Sequence, residues 1–509
     1  MFVKRIVVVG GGSAGFLAAI TLKARMPHLD VAVIRSKDIG IIGVGEGSTG
    51  ILPAHLHGYL GIDQREFYAK ADPIWKLGLR FLWGERPFFD YSFARQFNVH
   101  FPQLARPSGY YCDRPGPIEY AGIGSALMHH NMAFARQQNG HPLMTAQIAY
   151  HLENKTFVGF LEEYALRVGV RIIEDTIVDV SQDDHGITGL RLANSGEVTA
   201  DLYIDSSGFG SILLGKTLKE PFVPFKSSLF NDRAVVGGWQ RQDEPIQPYT
   251  TAETMDAGWC WRIDHEFRIN RGYVYSSAFI SDEAAEAEFR KKNPKVGPTR
   301  IVKFVTGRYE RAWVKNVVAI GNAAGFVEPL ESTSLGAICT EAVILASGLA
   351  DAEMELRDST RKLFNIRFAK NWDSIRSFLA IHFKFNTRLN TPYWIECREK
   401  ADLAGATPIV DYYRENGPSL VWWVTLIDQE DQFTAEGYLA MLVGQRVPYH
   451  VANPPDEAQR AMWARISNSM RMAALSGFSV PDALKLVRSP QFQFPQLWQP
   501  FLTGAPPTP

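Results

Sequence analysis

Residues 5–26, RIVVVGGGSAGFLAAITLKARM, limit what this chain can become more than any other stretch. Ile6 to Val9 are four aliphatic residues without alternation, the pattern of a strand buried on both faces in a parallel sheet. Gly10, Gly12 and Gly15 follow at G-x-G-x-x-G spacing. The first glycine permits a tight turn, the second lets backbone approach a pyrophosphate, and the third lets a helix pack on the strand. Ser13 and Ala14 open that helix, whose N–H groups and dipole then face the phosphates. Strand, turn and alanine-rich helix in this order predict a dinucleotide site rather than a ligand-free glycine turn.

The second strand, DVAVIRS, ends on Arg35 where an acidic residue for a ribose hydroxyl is expected. Such an arginine can meet a 2′-phosphate, stack on adenine or face solvent. Three more glycine-rich pieces follow: GIIGVGEGSTG (40–50), with Gly45 and Glu46; ADLYIDSSGFGS (200–211); and VKNVVAIGNAAGFVEPLESTSLGAI (314–338). All three read as strand ends returning to one nucleotide crevice, the last leading into a helix through Ala350. Segments so far apart rebuilding one sheet suggest a two-domain flavoprotein, whereas a nicotinamide-binding half would be finished by about residue 150–180.

At 509 residues the chain predicts two or three sub-domains. A net charge of −1 without a basic block predicts neither nucleic acid nor anionic membrane as a partner. Cys112, Cys260, Cys339 and Cys397 are scattered with no CxxC pair, which fits a reducing cytoplasm. The opening residues read as a strand and not a signal peptide, and no apolar run is expected to span a bilayer. The tail TGAPPTP has the composition of a disordered end. His55-x-His57 and His129-His130 lack nearby cysteine or carboxylate pairs, so no metal site is expected. In GWCWRIDH (258–265), Trp259 and Trp261 would point to one side of a strand. They are either plain core or rings set against a ligand.

Together GGGSAGFLAA, GVGEGST, WKLGLRF, DLYIDSSGFGS, GWCWRID and RAWVKNVVAIGNAAGFVEPLEST resemble the flavin-dependent halogenases of the tryptophan-halogenase branch, over nearly the whole chain. The resemblance implies an α/β chain: a glutathione-reductase-type, Rossmann-like FAD domain joined to a sheet and a largely helical substrate region. The implied division is FAD-binding parts at 1–80, 151–215 and 306–355, a substrate insertion at 81–150, a sheet at 216–305 and helices over 356–509. Reduced FAD comes from a separate NAD(P)H-dependent flavin reductase. O2 and halide, chloride or bromide, then give hypohalous acid, which travels through a tunnel to a lysine and halogenates an electron-rich, indole-like ring.

Carried onto this chain, the resemblance implies Lys76 and Glu331 as the catalytic pair. The cofactor would be held by Gly10, Gly12, Ser13, Ala14, Gly15, Arg35, Gly45, Glu46, Val178, Asn322, Ser332 and Leu335. Thr333 and Ser334 would meet halide, with Ser334 where relatives carry glycine. Trp259 and Trp261 would shield the flavin, followed by Asp264 where proline is usual. No role falls to Glu328. Tyr91 and Phe93, near Phe89, offer aromatic faces for a ring. Where relatives grip the amino acid with adjacent tyrosines, this chain reads Gly437-Tyr438. That drops one hydroxyl, leaves space, and implies rings without a zwitterion. Two rival readings stand: an FAD-dependent hydroxylase needing neither Lys76 nor halide, and a catalytically silent flavin-binding protein needing neither Lys76 nor Glu331.

Overall fold

The computed structural model describes residues 2–36, 45–112, 118–419, 423–450 and 453–498. The segment 40–50 is therefore seen from Gly45 onward, and the tail TGAPPTP lies outside the described residues.

Among the described residues, one six-stranded sheet runs in the order Arg171–Glu174, Asp30–Arg35, Arg5–Val9, Leu202–Asp205, Val317–Ala319, Trp313–Val314. The first five strands are parallel and the last antiparallel. Ile6 stands between Val31 and Leu202, and Val9 between Ile34 and Asp205. Val7 and Val8 have no exposed surface, as an aliphatic run without alternation requires. The helix Ser13–Arg25 buries Phe16, Leu17 and Ile20 and packs along the helix Ser334–Asp351. Two of the three distant glycine-rich pieces thus return to the sheet of the first strand.

The third does not. Glu46–Gly47 pairs with Ala149–Leu152, which also pairs with Ile74–Lys76. This corrects the expectation that 40–50 ends a strand of the nucleotide sheet. It joins instead a three-stranded ribbon that leads, through Leu77, into Gly78–Leu82. That strand belongs to a seven-stranded sheet ordered Arg300–Lys303, Arg233–Gln240, Arg268–Tyr275, Gly258–Asp264, Thr250–Met255, Gly78–Leu82, Phe89–Ser92. Only the contact of Thr250–Met255 with Gly78–Leu82 is parallel there. Lys76 therefore stands where the chain passes from one sheet system to the other.

Beyond residue 356 the chain is mainly helical, with long helices at Asp358–Phe385, Thr434–Gly444 and Glu457–Leu475. The expectation of no membrane-length apolar run needs correction. Ser334–Asp351 is an 18-residue helix of mean hydropathy 1.3, long and apolar enough to cross a bilayer. It is 56% buried inside the protein, as a helix packed between the sheet and its covering helices must be.

Candidate active site

The glycine turn is built as its spacing requires. Gly10 has φ +117°, and a Cβ there would lie 2.4 Å from the Ser206 carbonyl oxygen. A Cβ on Gly15 would lie 1.9 Å from the Gly10 carbonyl oxygen, so helix and strand touch. A Cβ on Gly12 would meet nothing within 4 Å. The chain thus leaves room at the one glycine that a pyrophosphate approaches. Ser206 Oγ donates to the Val9 carbonyl at 2.9 Å, and Asp205 accepts the Leu213 and Leu214 N–H groups at 2.7 and 2.9 Å. Gly321, at φ +65°, brings its turn against Ala14. Its N–H donates to buried Glu341 at 3.0 Å. Ser13, Ala14 and Asn322 stay partly exposed around this crevice, and the open face at Gly12 suits the pyrophosphate of a dinucleotide.

Arg35 is not a free cation. Its guanidinium pairs with Glu162 and, at 2.6 Å, with Glu174, while its stem lies against Gly11. Both ion pairs give the guanidinium a structural role within the chain. Val178 lies on the exposed strand Ile177–Asp183 with its side chain half exposed. The Leu335 side chain is in the core, so only its main chain faces the helix start. Gly45 packs against His265 and Asn270, and half-buried Glu46 accepts from Asn154. Desolvation raises the Glu46 carboxyl to about 7, against the lowering effect of Asn154.

Lys76 has no exposed surface. Its Nζ donates to the Ser48 carbonyl at 3.0 Å and lies 5.4 Å from the Phe93 ring centre. Among the described residues it has no ion pair within 4 Å. Desolvation lowers its pKa from 10.5 to about 7, and the nearby Glu331 carboxylate acts in the opposite direction. Glu331 closes the turn Pro329–Glu331, Ser332 takes the left-handed φ of +56°, and the helix begins at Ser334. A Cβ on Gly47 would lie 2.7 Å from Ser332 Oγ and 3.2 Å from Lys76 Nζ. The ribbon and the helix start therefore converge on the lysine. Ser334 is exposed and Thr333 buried at that start.

Sequence reading missed the partners of this turn. His382, from the long helix Asp358–Phe385, places Nε2 2.7 Å from Glu331 Oε1, and both side chains are buried. Glu328 accepts from Trp259 Nε1 at 2.6 Å and from Asn231 Nδ2 at 2.7 Å. Desolvation raises the Glu328 carboxyl to about 7, with both donors opposing it. A buried carboxylate needs such donors, but no local spacing reveals helix residue 382 or strand residue 259 as the source. The Trp259 and Trp261 rings do share one side, 6.0 Å apart. Asp264 is a buried hub: Arg262 and Arg241 pair with it at 2.8 and 3.3 Å, and the Gln247 N–H donates at 2.8 Å.

The aromatic wall differs from expectation at one point. Tyr91 is buried, and Phe93 packs 6.1 Å from it. Gly437 leaves no space: a Cβ there would lie 2.9 Å from the Tyr91 hydroxyl, 3.0 Å from Phe433 Cβ and 3.1 Å from Phe378 Cζ. Tyr438 directs its hydroxyl to Asp431 at 3.3 Å. Glu436 accepts the N–H groups of Gln96, Phe97 and Asn98 at 3.1, 2.8 and 2.9 Å. The histidine pairs have ordinary partners: His55 meets Thr21, His57 meets Tyr150 and the Ile62 carbonyl, and His130 meets Tyr120. His129 stacks on Phe88.

Residues 5–460 match the Tryptophan halogenase family. Among curated relatives, tryptophan 7-halogenase RebH of Lentzea aerocolonigenes is 30% identical over 441 residues, covering 81% of this chain and 82% of its own. Tryptophan 7-halogenase KtzQ of Kutzneria sp. (strain 744) is 32% identical over 443 residues, covering 82% of each. Among solved structures, MibH, a lanthipeptide tryptophan 5-halogenase, superposes with a TM-score of 0.85 at 36% identity over 96% of this chain and 94% of its own. With the fold, the glycine crevice and these matches agreeing from end to end, the chain belongs to the tryptophan halogenase family.

Proposed function

We propose that this flavin-dependent halogenase transfers halogen from hypohalous acid to an indole-like ring between Lys76 and Glu331. FAD would be held at the Gly10–Gly15 turn by the crevice residues named above, with the starts of the turns at Gly45 and Ser332 beside it. Reduced flavin, when bound, supplies the two electrons that convert O2 and halide into hypohalous acid and water. The six-stranded sheet and its helices serve the nucleotide, and the seven-stranded sheet with the C-terminal helices serves the ring.

The observation that carries this reading is Lys76: a buried amine that, among the described residues, has no ion pair and donates to one carbonyl. Burial without a partner destabilises a fold, so structure alone does not account for it. With its pKa near 7, the amine can hydrogen-bond hypohalous acid when protonated or take the halogen when neutral. The ring carbon then forms a bond to halogen as the halogen–oxygen bond breaks, the departing hydroxide takes a proton from the Lys76 amine and leaves as water, and the ring proton passes to Glu331. A fixed carboxylate also stabilises the positive charge that develops on the ring. A hydroxylase needs no such lysine, and a silent flavin binder needs neither residue.

Tyr438 and Glu436, beside the aromatic wall, are already paired within the chain. Tyr438 is given to Asp431, Glu436 to three backbone N–H groups, and the site of Gly437 is filled by Tyr91 and Phe433. A free amino acid would bury an ammonium and a carboxylate without partners, costing on the order of several kcal/mol. Rings without a zwitterion are therefore preferred, whether as simple indoles or as tryptophan within a peptide. That MibH acts on a lanthipeptide supports the same direction. In one-pot competition with a flavin reductase and NADH, indole should be halogenated with a higher kcat/KM than tryptophan, with bromide at least as effective as chloride. A higher value for tryptophan overturns this substrate assignment.

A further inference from the structure

The imidazole behind Glu331 has an unusual proton balance. His382 Nδ1 lies 3.0 Å from the Phe378 carbonyl oxygen, and Nε2 lies 2.7 Å from Glu331 Oε1. A carbonyl oxygen only accepts, and so does an ionised carboxylate. A neutral imidazole has one N–H and could satisfy just one of them. The His382–Glu331 pair must therefore hold one proton more than a neutral histidine beside a carboxylate. Of the two groups the imidazole is intrinsically the more basic. We propose that His382 is a positioning residue that holds this extra proton as an imidazolium, pins Oε1 of Glu331, and leaves Oε2 as the oxygen presented to the ring.

Oε2 accepts no hydrogen bond among the described residues, whereas Oε1 is committed. The His382 ring itself is fixed, packed 5.3 Å from Phe81 and 5.0 Å from Phe378. The pinned oxygen cannot rotate toward the substrate, so the proton leaving the ring has one acceptor atom and one direction. The imidazolium also balances the charge of Glu331. Lys76 is then not the sole counter-cation of that carboxylate and is freer to give up its proton. The other ionisable groups facing this trio are His151 on the ribbon beside Lys76 and Tyr91 on the sheet beside Glu331. Asp431, Glu436 and Tyr438 lie behind Tyr91. His151 is kept neutral, by burial first and then by Lys76. Its own two nitrogens face the Asp264 carbonyl and the Thr250 hydroxyl, an arrangement that a neutral ring satisfies.

This rests on the halogenase reading of Lys76 and Glu331, and the experiment separates the two. Histidine-selective ¹⁵N NMR of the intact chain without flavin at pH 7 should show one imidazole protonated on both nitrogens that vanishes in His382→Gln and becomes a neutral ring in Glu331→Gln. A single neutral tautomer for His382 in the unaltered chain overturns the proposal, whether or not the variants fold. In activity, His382→Gln keeps a neutral donor to Oε1 but removes the charge. The limb of the pH–kcat profile that reports Lys76, near pH 7, should then move upward by about one unit. A merely structural loss would lower kcat without moving the limb, and an unmoved limb likewise overturns the proposal. If Lys76→Ala keeps its halogenating activity, the assignment of the lysine fails independently of His382.

Discussion

At the residue scale, Lys76 sets activity against stability. Its folded pKa of about 7 lies below the 10.5 of an ordinary lysine, because the site is dry. Between those values the unfolded chain binds a proton that the folded chain does not. This group's contribution to stability therefore rises as pH rises from about 7 to about 10.5, and is least favourable below 7. The full span is on the order of 5 kcal/mol. Lys76→Met should abolish halogenation while raising the urea midpoint at pH 6, with a smaller difference at pH 9. Half-buried Glu46 and buried Glu328, Glu341 and Glu436, each raised to about 7, act in the opposite sense as pH rises through 4.5 to 7. The difference between variant and parent, not either raw curve, is thus the quantity to measure. A variant that halogenates at the parental rate removes Lys76 from the chemistry.

At the element scale, two glycines that look alike in sequence do opposite work. Gly12→Ala adds a methyl group that meets nothing within 4 Å. It should leave the melting temperature of the flavin-free chain within about a degree while weakening FAD binding at least tenfold. Gly437→Ala pushes a methyl group against Tyr91, Phe433 and Phe378. It should cost about 1–3 kcal/mol of stability, as overpacking does, and leave FAD affinity unchanged. Calorimetry and flavin titration on both variants check the contrast. The fingerprint at 10–15 was legible because its spacing after an aliphatic strand is local: Gly10 turns the chain at φ +117° and Gly15 packs on the Gly10 carbonyl. Gly437 was not, since the atoms that fill its space come from residues 91, 378 and 433. The same holds for His382 and Glu328. A buried carboxylate declares that it needs a donor, but the donor's position is set by how the helix Asp358–Phe385 and the strand Gly258–Asp264 cross the turn. The ribbon Glu46–Gly47 was misassigned for a related reason: a two-residue strand carries too little pattern to show which sheet it joins.

At the scale of the whole molecule, the described residues hold one parallel sheet of the dinucleotide-binding kind, and its glycine turn is at Gly10, Gly12 and Gly15, whereas the same spacing at Gly45, Gly47 and Gly50 lies on the separate ribbon. The purified chain should not oxidise NADPH or NADH until a separate flavin reductase is added, as a spectrophotometric assay at 340 nm will show. Turnover without reductase defeats that division of labour. The interleaving of the sheets also has a consequence during synthesis. Ser206, at the end of the neighbouring strand, bonds to Val9 across 197 residues of chain. The apolar strand Arg5–Val9 therefore leaves the ribosome long before its central partner exists, with Asp30–Arg35 alone at its side. Pairing across such a separation is slow, and an unpaired aliphatic edge invites association with other chains. Nascent chains stopped short of residue 202 should stay protease-sensitive and need a holding chaperone, whereas chains extended past Ala319 should become resistant together with the N-terminal strand. Limited proteolysis of stalled chains would show whether the molecule begins to fold at its first strand or waits for the middle of its sequence to arrive.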